Sequence, residues 1–581
     1  MNYSTDVPTT RRIRVLYALI FFISVIFILR LFYLQVLRHD YYSEQAQNTQ
    51  LRDQSIPADR GTIFALDGAE QVPLVLNEQR FTVVADPQVV EDKNLAAIIL
   101  SEMLEVPQES ILEALNADTR YSILARNKPK EVRSAIDTLT EQGDLVGVYY
   151  EKTLKRVYPH DTAAAQVLGF VNNDGDGVYG IEEYLDDQLS GEDGVIKALT
   201  DQNGIPLLAS GENILQDPVS GSDVILTIDV SMQKQVERIL QEGLENAQSE
   251  SGSIIIMDPN TGRIKAMANY PSYDPAAFNE VEDFNLFNNP SVSDAFEPGS
   301  VVKTLTTAAA LDTGAVTENA SYFDPGEYEI DGFKIENVVE VAGSGTRSIS
   351  DILRFSLNTG ATYLLMQMGG GEINQQARET WHRYMTDRYG FGSQTGIEQG
   401  FEGTGLIPDP NDGFGLDLQF ANTTFGQGMT VTPLQMVAAL SAAVNGGTYY
   451  QPTLIYGSSN EINDPVVVRE NVVSPTTSRT LIRFMNNVVD QTAFAADRAG
   501  YSVGGKTGTA QIPNPEGGYF EDRENGTYVG FVGGDRPEYT VMVRANEPGI
   551  SGYAGSQAAR PIFTSVSNML IDNFSVPSIS N

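Results

Sequence analysis

The chain has 581 residues, which is enough for two or three folded domains. Its 38 Lys and Arg residues stand against 76 Asp and Glu residues, and a surface with a net charge of -38 repels nucleic acid, which is therefore not expected as a partner. The absence of cysteine excludes thiol nucleophiles, disulfides and cysteine-bound metals. Only 3 histidines occur, far apart in sequence, so a serine nucleophile is expected to use a base other than histidine.

An apolar run near the N-terminus predicts a transmembrane helix over residues 13–37. About 23 helical residues cover about 34 Å, which is enough to cross a bilayer. Arg11, Arg12 and Arg14 precede most of the run with no acidic residue between them, so the positive-inside rule predicts a cytoplasmic tail at 1–12 and an extracytoplasmic remainder. A cleaved signal peptide is the alternative, but the length of the run and the lack of an A-x-A-like site favour a retained, single-pass anchor.

A first extracytoplasmic domain is predicted over residues 38–215. It mixes helical patterns, such as NLAAIILSEMLEV at 94–106, with strand-like runs, such as RFTVVADP at 80–87. It contains no recognisable set of catalytic residues. A polar, glycine-containing stretch at 204–223 precedes a change in pattern, which places the domain boundary there.

A second domain is predicted over residues 216–573, followed by a tail at 574–581. Two hairpins are predicted in it: SIIIMD and RIKAMA around a turn at 259–262, and GTYVGFVGG and EYTVMVRA around a turn at 535–537. Helical patterns lie between these hairpins. The arrangement indicates an α+β fold in which helices cover an antiparallel sheet.

Ser300 and Lys303 are the first candidate catalytic pair. The segment VVKTLTTAAALDTG predicts a helix that begins at Ser300 and ends at Gly314. A step of three residues puts the hydroxyl and the amine on one helix face. A hydroxyl needs a nearby group to take its proton, and a lysine can do this only when burial or a second cation keeps it neutral.

The Ser-x-x-Lys spacing is weak evidence alone, because the sequence contains a second example at Ser231 and Lys234. Ser231 follows a strand pattern and opens an amphipathic helix, so we interpret it as a helix N-cap beside an exposed lysine. A second Ser-x-Asn, at 458–460, lies in a polar loop and has the composition of a turn.

Two further motifs follow Ser300 in order and distinguish it from this decoy. Ser356 and Asn358 lie between two helical stretches, and Lys506-Thr507-Gly508-Thr509 opens a strand pattern. In this interpretation Ser356 relays protons and Asn358 holds a substrate amide, while Lys506 lowers the pKa of Lys303 by repulsion. Thr507 and Thr509 can bind a carboxylate, and Gly508 lets a substrate backbone approach the strand.

Ser-x-x-Lys, Ser-x-Asn and Lys-Thr-Gly in this order resemble the signature of penicillin-binding proteins and serine β-lactamases. The wider motifs resemble the class B penicillin-binding proteins, and the short ADP segment and LGFV are most similar to their septal, division-specific branch. The wider motifs that resemble class B proteins are FEPGSVVKT, FGQGMTVTPLQM, NGG and GGKTGTAQ in the second domain, and DRGTIFALDG, RVYP and GIEEYLDDQLSG in the first. The resemblance implies an elongated mixed α/β pedestal of the penicillin-binding protein dimerisation type, and a transpeptidase domain with an additional all-helical subdomain. The acidic segment at 514–526 matches no part of the pattern.

The resemblance also implies roles for the motif residues. Ser300 would be the acylated nucleophile, Lys303 its general base, and the backbone N–H groups of Ser300 and Thr509 the oxyanion hole. The donor peptide would lie along the 506–509 strand as an added strand. Its terminal D-alanine would leave, and an amine of a neighbouring stem peptide would take the acyl group.

The expected function is therefore D,D-transpeptidation of peptidoglycan stem peptides at the cell membrane, with covalent inhibition by β-lactams. By resemblance, the partners are divisome membrane proteins and a SEDS-family glycosyltransferase, since no polymerase domain is recognisable. A β-lactamase, a D,D-carboxypeptidase and a β-lactam sensor share the same residue types and remain alternatives. A non-catalytic division scaffold is an alternative of another class.

No cofactor and no metal site are predicted. Residues 172–183 nearly match a calcium-binding EF-hand loop, with Asn172 in place of the first Asp and Glu183 at the twelfth position. An acidic turn is the simpler interpretation, because no clear apolar helix precedes the loop.

Overall fold

The computed structural model describes residues 9–38, 51–199, 214–337, 343–413, 415–458, 461–515 and 517–580. Contacts divide the chain into two compact units that interleave in sequence. The smaller unit comprises Met1–Asp59, Gln79–Lys155 and Gly191–Ser220, and the larger unit comprises Arg60–Glu78, Arg156–Ser190 and Gly221–Asn581. The predicted domain bounds, with one boundary near residue 215, stay a prediction, and residues 200–213 of that region lie outside the described residues.

The N-terminal segment is a helix, as predicted. An α-helix spans Thr9–Phe32 and continues as a π-helical turn over Tyr33–Leu37. Its residues Ile13–Leu37 have a mean hydropathy of 2.7, and this stretch of 25 residues is long and apolar enough to cross a membrane.

The smaller unit combines helices with short strands. Three helices pack with three strands around one apolar core. The helices are Lys93–Leu104, Gln108–Asn116 and Lys130–Gln142. The strands are Ser122–Lys128, Val148–Val157 and the end of Glu70–Ala85. The first helix buries Ala96, Leu100 and Leu104 at four-residue spacing, as expected for an amphipathic helix on a core. A separate three-stranded antiparallel sheet contains Leu51–Ile56, Gly194–Leu199 and Ile214–Gln216 in that order.

The larger unit is built on a five-stranded antiparallel sheet, here called the central sheet. Both predicted hairpins are present in it, and the strand that carries Lys506 lies at one edge. Across the sheet the strands are Ile264–Tyr270, Ser251–Met257, Pro537–Asn546, Tyr519–Gly533 and Ser502–Pro513.

Helices cover both faces of the central sheet. Ile254 and Ile256 pack on one side with the helices Val230–Ala247 and Arg560–Asn573. Ile255 and Met257 pack on the other side with the helices Lys303–Asp312 and Pro433–Val444. Successive side chains of a strand alternate between faces, so one apolar run fills two cores. The predicted α+β fold is confirmed.

The remaining elements surround this framework. A small sheet joins Ile63–Asp67 to the start of Glu70–Ala85, to Val224–Asp229 and to Ile455–Gly457. The other α-helices are Ala165–Leu168, Gly180–Tyr184, Asp186–Ser190, Pro290–Ser293, Ile349–Arg354, Asn358–Met368, Gln375–Arg383, Leu416–Thr423 and Pro475–Thr492. Short 3-10 or π turns span Pro275–Glu280, Phe284–Phe287, Gly299–Val302, Tyr384–Arg388 and Gly555–Ala559. The other strands are Phe170–Val171, Gly177–Val178, Ser321–Asp324, Glu327–Ile330, Phe333–Glu336, Gly345–Ser348, Tyr449–Tyr450 and Val467–Arg469.

Three of the sequence motifs meet in a buried ion network within the larger unit. Glu182 is fully buried, and its two carboxylate oxygens accept hydrogen bonds from Arg60 Nε at 2.7 Å and from Arg156 Nε at 2.8 Å. Arg60 also contacts Asp186 at 2.7 Å. The DRG, RVYP and GIEEY motifs therefore share one structural purpose, because each buried charge needs the others as partners.

The loop that resembles an EF-hand forms a hairpin turn. Asn172 Oδ1 accepts hydrogen bonds from the backbone N–H groups of Asp174 and Asp176 at 2.9 and 3.0 Å. The flanking strands are Phe170–Val171 and Gly177–Val178. This is the acidic turn of the simpler interpretation.

Candidate active site

Ser300 lies in a 3-10 turn, Gly299–Val302, directly before the α-helix Lys303–Asp312. The prediction that the α-helix begins at Ser300 is wrong by one turn, because the first turn is a 3-10 turn and the α-helix begins at Lys303. Such 3-10 turns are common at the N-termini of α-helices. Gly299 has a φ of 65°, and a Cβ there would lie 2.7 Å from the carbonyl oxygen of Thr509. The turn therefore requires glycine at position 299 to hold Ser300 against the edge strand.

Lys303 is fully buried and points to the Ser-x-Asn motif. Its Nζ donates hydrogen bonds to Ser356 O at 2.6 Å, Asn358 Oδ1 at 2.7 Å and Ser356 Oγ at 3.2 Å. Burial, with the charge of Lys506 as a second cause, lowers the pKa of Lys303 well below its ordinary value of 10.5. A neutral amine is what a general base in this position requires.

Lys506 reaches the same hydroxyl from the edge strand. Its Nζ donates to Ser356 Oγ at 3.0 Å and to Thr507 O at 2.8 Å. It is 2% exposed, and burial lowers its pKa to about 7. The Ser356 hydroxyl therefore lies within hydrogen-bonding distance of both lysines.

Ser356 adopts an uncommon backbone conformation, with a φ of 55°. It lies between the helices Ile349–Arg354 and Asn358–Met368, as the sequence predicted. In this conformation its carbonyl and hydroxyl oxygens both face Lys303. A left-handed residue that is not glycine carries backbone strain, which surrounding contacts must hold in place.

The predicted substrate strand is the edge of the central sheet, Ser502–Pro513, so Lys506 lies inside the strand rather than at its start. Thr509 Oγ1 accepts a hydrogen bond from Gly555 N at 3.0 Å, which fixes its hydroxyl beside the residues that follow Tyr553. The predicted role of Gly508 in substrate approach stays a prediction, and the structure adds a packing reason for glycine at this position. A Cβ there would lie 2.2 Å from Thr527 Oγ1 and 2.7 Å from Pro298 O, so glycine is needed for packing under the nucleophile turn.

These side chains line a groove of about 470 Å³. Lys303 lies beneath the groove. The predicted site residues that line it are Ser300, Ser356, Asn358, Lys506, Thr507 and Thr509. Phe425 and Gln427, from the FGQGMT motif, also line it. Three further lining residues, which no sequence motif would have identified, are Glu524, Tyr553 and Arg560.

The acidic segment at 514–526, which matched no motif, forms the turn and first residues of the hairpin after the edge strand, except for Glu516, which lies outside the described residues. Tyr519 from this segment donates its phenol to Glu297 Oε1 at 3.0 Å, and Gly428 N donates to the same oxygen at 3.0 Å. Burial raises the pKa of Glu297. The FEPGS motif therefore contributes a clamp, Glu297 with Tyr519 and Gly428, that holds the hairpin and the FGQG loop beside the nucleophile turn.

The decoy pair lies apart from this groove. Asp229 caps the helix Val230–Ala247 through Met232 N, so the predicted N-cap role of Ser231 is wrong. Lys234 is exposed, as expected, and its Nζ lies 3.0 Å from Nδ1 of His160. Of the second Ser-x-Asn, Ser459 and Asn460 lie outside the described residues.

Comparison with known proteins assigns these features to a family. A model of the penicillin binding protein transpeptidase domain matches residues 252–568, and a model of the penicillin-binding protein dimerisation domain matches residues 55–226. Stage V sporulation protein D of Bacillus subtilis is 32% identical, over 97% of this chain and 86% of its own. The peptidoglycan D,D-transpeptidase FtsI of Escherichia coli K12 is 28% identical, over 92% of this chain and 87% of its own.

Solved structures share the fold. Penicillin binding protein 2X of Streptococcus thermophilus superposes with a TM-score of 0.72 at 22% identity, over 90% of this chain and 80% of its own. Penicillin binding protein 3 of Mycobacterium tuberculosis, complexed with aztreonam, superposes with a TM-score of 0.68 at 24% identity, over 91% of this chain and 98% of its own.

The central sheet, its covering helices and the groove at its edge define a serine transpeptidase fold. The chain belongs to the class B penicillin-binding proteins, which the predicted resemblance had named.

Proposed function

We propose that the protein cross-links peptidoglycan stem peptides by D,D-transpeptidation through an acyl-Ser300 intermediate. The observation that carries this proposal is the Ser356 hydroxyl, which lies 3.2 Å from Lys303 Nζ and 3.0 Å from Lys506 Nζ. The names of the relatives, several of which are called peptidoglycan D,D-transpeptidases, support the substrate class.

The proposed reaction begins when Lys303 Nζ, neutral because it is buried, takes the proton of the Ser300 hydroxyl. Ser300 Oγ then forms a bond to the carbonyl carbon of the penultimate D-alanine. The peptide bond breaks, and the leaving D-alanine amine receives a proton through Ser356. In the second half, an acceptor amine attacks the ester, the bond to Ser300 Oγ breaks, and the proton of the amine returns to Ser300 by the same route.

The edge strand suits the donor peptide because one side of Ser502–Pro513 has no neighbour in the central sheet. A peptide added there gains main-chain hydrogen bonds. Its terminal carboxylate would bind the hydroxyls of Thr507 and Thr509, with Lys506 as the nearby cation. The backbone N–H groups of Ser300 and Thr509 would stabilise the oxyanion.

Covalent labelling tests the nucleophile. Fluorescent penicillin should label the full-length protein, and Ser300→Ala should abolish labelling. The matched control is Ser231→Ala in the decoy motif, which should leave labelling unchanged. Labelling that survives Ser300→Ala would refute the assignment.

The lifetime of the adduct distinguishes the alternatives. A β-lactamase must position a hydrolytic water and should release the drug within seconds, whereas a transpeptidase should hold it for many minutes. A carboxypeptidase would release free tetrapeptide from defined muropeptides, and a transpeptidase would form cross-linked dimers when an acceptor is present. A sensor or scaffold would form no dimer.

We further propose a role in septal wall synthesis together with a SEDS-family polymerase and other divisome membrane proteins. The similarity of the ADP and LGFV segments to the septal branch supports this role. A relative named as a sporulation protein makes spore-associated wall synthesis a second candidate. Depleting the protein and following the incorporation of fluorescent D-amino acids would separate the two, since only the septal role predicts loss of signal at division sites in growing cells.

We also propose that the N-terminal helix is a single membrane anchor with its N-terminus in the cytoplasm. The absence of cysteine makes a direct test possible, because any introduced cysteine is unique. A membrane-impermeant maleimide applied to intact cells should label Ser565→Cys and not Ser4→Cys. The reverse pattern would contradict the orientation.

A further inference from the structure

A row of residues runs across the central sheet directly under the nucleophile turn. The strand registers pair Asn269 with Ser253, Ser253 with Arg544, Arg544 with Thr527, and Thr527 with Gly508. Paired residues of neighbouring strands point to the same face of a sheet. One end of this row, Gly508, therefore lies under the nucleophile turn between the groove residues Thr507 and Thr509, and the other end, Asn269, is at the opposite edge of the sheet.

The segment before Ser300 lies across this row. Thr527 Oγ1 donates to Pro298 O at 3.0 Å, and the guanidinium of Arg544 lies 4.4 Å from the centre of the Phe296 ring. Phe296 is itself held by two backbone hydrogen bonds of 3.0 Å with Val431. A displacement of Arg544 would therefore change its contact with Phe296, which lies four residues before Ser300.

Arg544 also lines a second pocket, of about 470 Å³, which is separate from the catalytic groove. Its Nε–H is buried without a hydrogen-bond partner in the part of the chain that the structure describes, and burial lowers its pKa to about 10. Asn546 lies two residues further on the same strand face, and its Oδ1 also has no partner among the described residues. The inner wall thus offers an uncompensated donor and an uncompensated acceptor.

The rim of this pocket has the opposite charge. Asp283 and Asp294 are exposed and line the pocket opening, while Tyr270 and Pro290 provide apolar surface. An inorganic anion would satisfy Arg544 but would be repelled by the rim. A ligand with a carboxylate and a neighbouring ammonium group satisfies both.

We propose that this pocket binds the α-ammonium carboxylate group of an amino acid, with the carboxylate on Arg544 and the ammonium between Asn546 and the Asp294 rim. Occupancy draws the guanidinium away from Phe296 and loosens the turn that carries Ser300. The pocket is thereby an effector site, at which a free amino acid, or a stem-peptide side chain that ends in an ammonium and a carboxylate on one carbon, slows acylation. This second statement rests on the proposed role of Ser300, whereas binding itself does not.

Binding is tested on full-length protein whose catalytic groove has first been blocked with penicillin. D-Alanine should give saturable saturation-transfer NMR signals with this acylated protein. Arg544→Gln should abolish them, and Asp294→Asn, on the exposed rim, should weaken binding by about threefold or more because one charge partner is lost. Arg536→Gln, at an exposed hairpin turn, is the control for loss of a positive charge and should change nothing.

Two blocked ligands test the chemical class. N-acetyl-D-alanine lacks the ammonium and D-alaninamide lacks the carboxylate, so each should bind more weakly than D-alanine. A second series of ligands carries the ammonium and carboxylate at the end of a longer chain. Tighter binding of these ligands than of D-alanine would indicate a stem-peptide side chain as the effector. Equal binding would indicate a free amino acid. Binding unaffected by Arg544→Gln, or equal binding of the blocked ligands, would overturn the proposal.

Coupling is tested by the rate of acylation. Saturating D-alanine should slow acylation by fluorescent penicillin by about threefold to tenfold, the size expected for loss of one cation–π contact. The concentration of D-alanine that gives half of this slowing should be about threefold or more higher in Asp294→Asn and unchanged in Arg536→Gln. If unliganded protein is not acylated at all, the proposed function fails; if it is acylated but D-alanine neither binds nor slows it, only the effector site fails.

Discussion

Lys303 and Lys506, which lie more than 200 residues apart in sequence, both donate to the Ser356 hydroxyl, at 3.2 and 3.0 Å. Two amines that share one small acceptor in a buried site cannot both carry a full charge at low cost. Burial lowers the pKa of each, and the charge of Lys506 lowers that of Lys303 further. Both effects make the neutral form of these amines easier to reach than for a lysine in water.

Removal of the second amine should shift the pH dependence of acylation. In Lys506→Met the repulsion is lost, so the pKa of Lys303 rises and the acidic limb of the rate profile moves to higher pH. At neutral pH the rate should fall by about 10²-fold or more, since proton transfer typically contributes 10²–10⁴-fold. The second-order rate of labelling by fluorescent penicillin, measured from about pH 5 to pH 10, checks this. An acidic limb that stays in place or moves to lower pH would contradict the coupling.

Gly299→Ala should destabilise the protein and slow acylation. The residue has a φ of 65°, and the new methyl group would lie 2.7 Å from Thr509 O. Gly314→Ala is the matched control, because Gly314 has a φ of 71° but no atom within 4 Å of its Cβ position. We expect about 1 kcal/mol for the backbone strain in either variant and about 1–3 kcal/mol more for the clash at Gly299. Equal shifts of the melting temperature in the two variants would show that the contact with Thr509 is unimportant.

Glu297→Gln should change how stability depends on pH. Burial raises the pKa of Glu297 above its ordinary 4.5, so the folded protein binds more protons than the unfolded chain in that window. The stabilisation that protonated Glu297 gives the folded protein is therefore fully present below pH 4.5, and it is lost as the pH rises through the raised pKa of Glu297. Glutamine cannot ionise, so the melting temperature of the variant minus that of the wild type should increase from about pH 5 to about pH 8.

The control for this measurement is Glu521→Gln, an exposed position on the hairpin that carries Tyr519. It should show no such trend. A difference between Glu297→Gln and wild type that is constant across this pH range would rule out ionisation of a buried Glu297.

Glu182→Gln should strongly destabilise the larger unit. It leaves Arg60 and Arg156, which are 7% and 8% exposed, without their shared counter-charge. Removing one partner from a buried ion network typically costs about 3–5 kcal/mol. Thermal unfolding measures the loss, and Glu183→Gln, at the neighbouring position, should cost far less. A loss below about 1 kcal/mol for Glu182→Gln would indicate that water reaches the network.

The sequence alone predicted much of the site because its chemistry is encoded in short motifs. One helical turn is enough to bring Ser300 and Lys303 together, and one loop is enough to bring Ser356 and Asn358 together. The hairpins of the central sheet were equally readable, since each depends on alternation and a local turn. The helix at 13–37 followed from its uninterrupted apolar residues.

Other features required the folded chain. The burial of Lys303 and Lys506, which lowers their pKa, depends on layers formed by residues distant in sequence. The Glu297 clamp, the network around Glu182 and the contact of Arg544 with Phe296 also depend on residues distant in sequence. The structure also adds a second reason that Gly508 is glycine, which is its packing against Pro298.

What the sequence determined by itself was therefore the identity of the reactive groups and the local elements that carry them, because both depend on neighbours within a few residues. Only the tertiary structure decided which groups are desolvated and which charges face one another. Those properties arise from contacts between strands and helices hundreds of residues apart, and they set the protonation states on which the proposed chemistry depends.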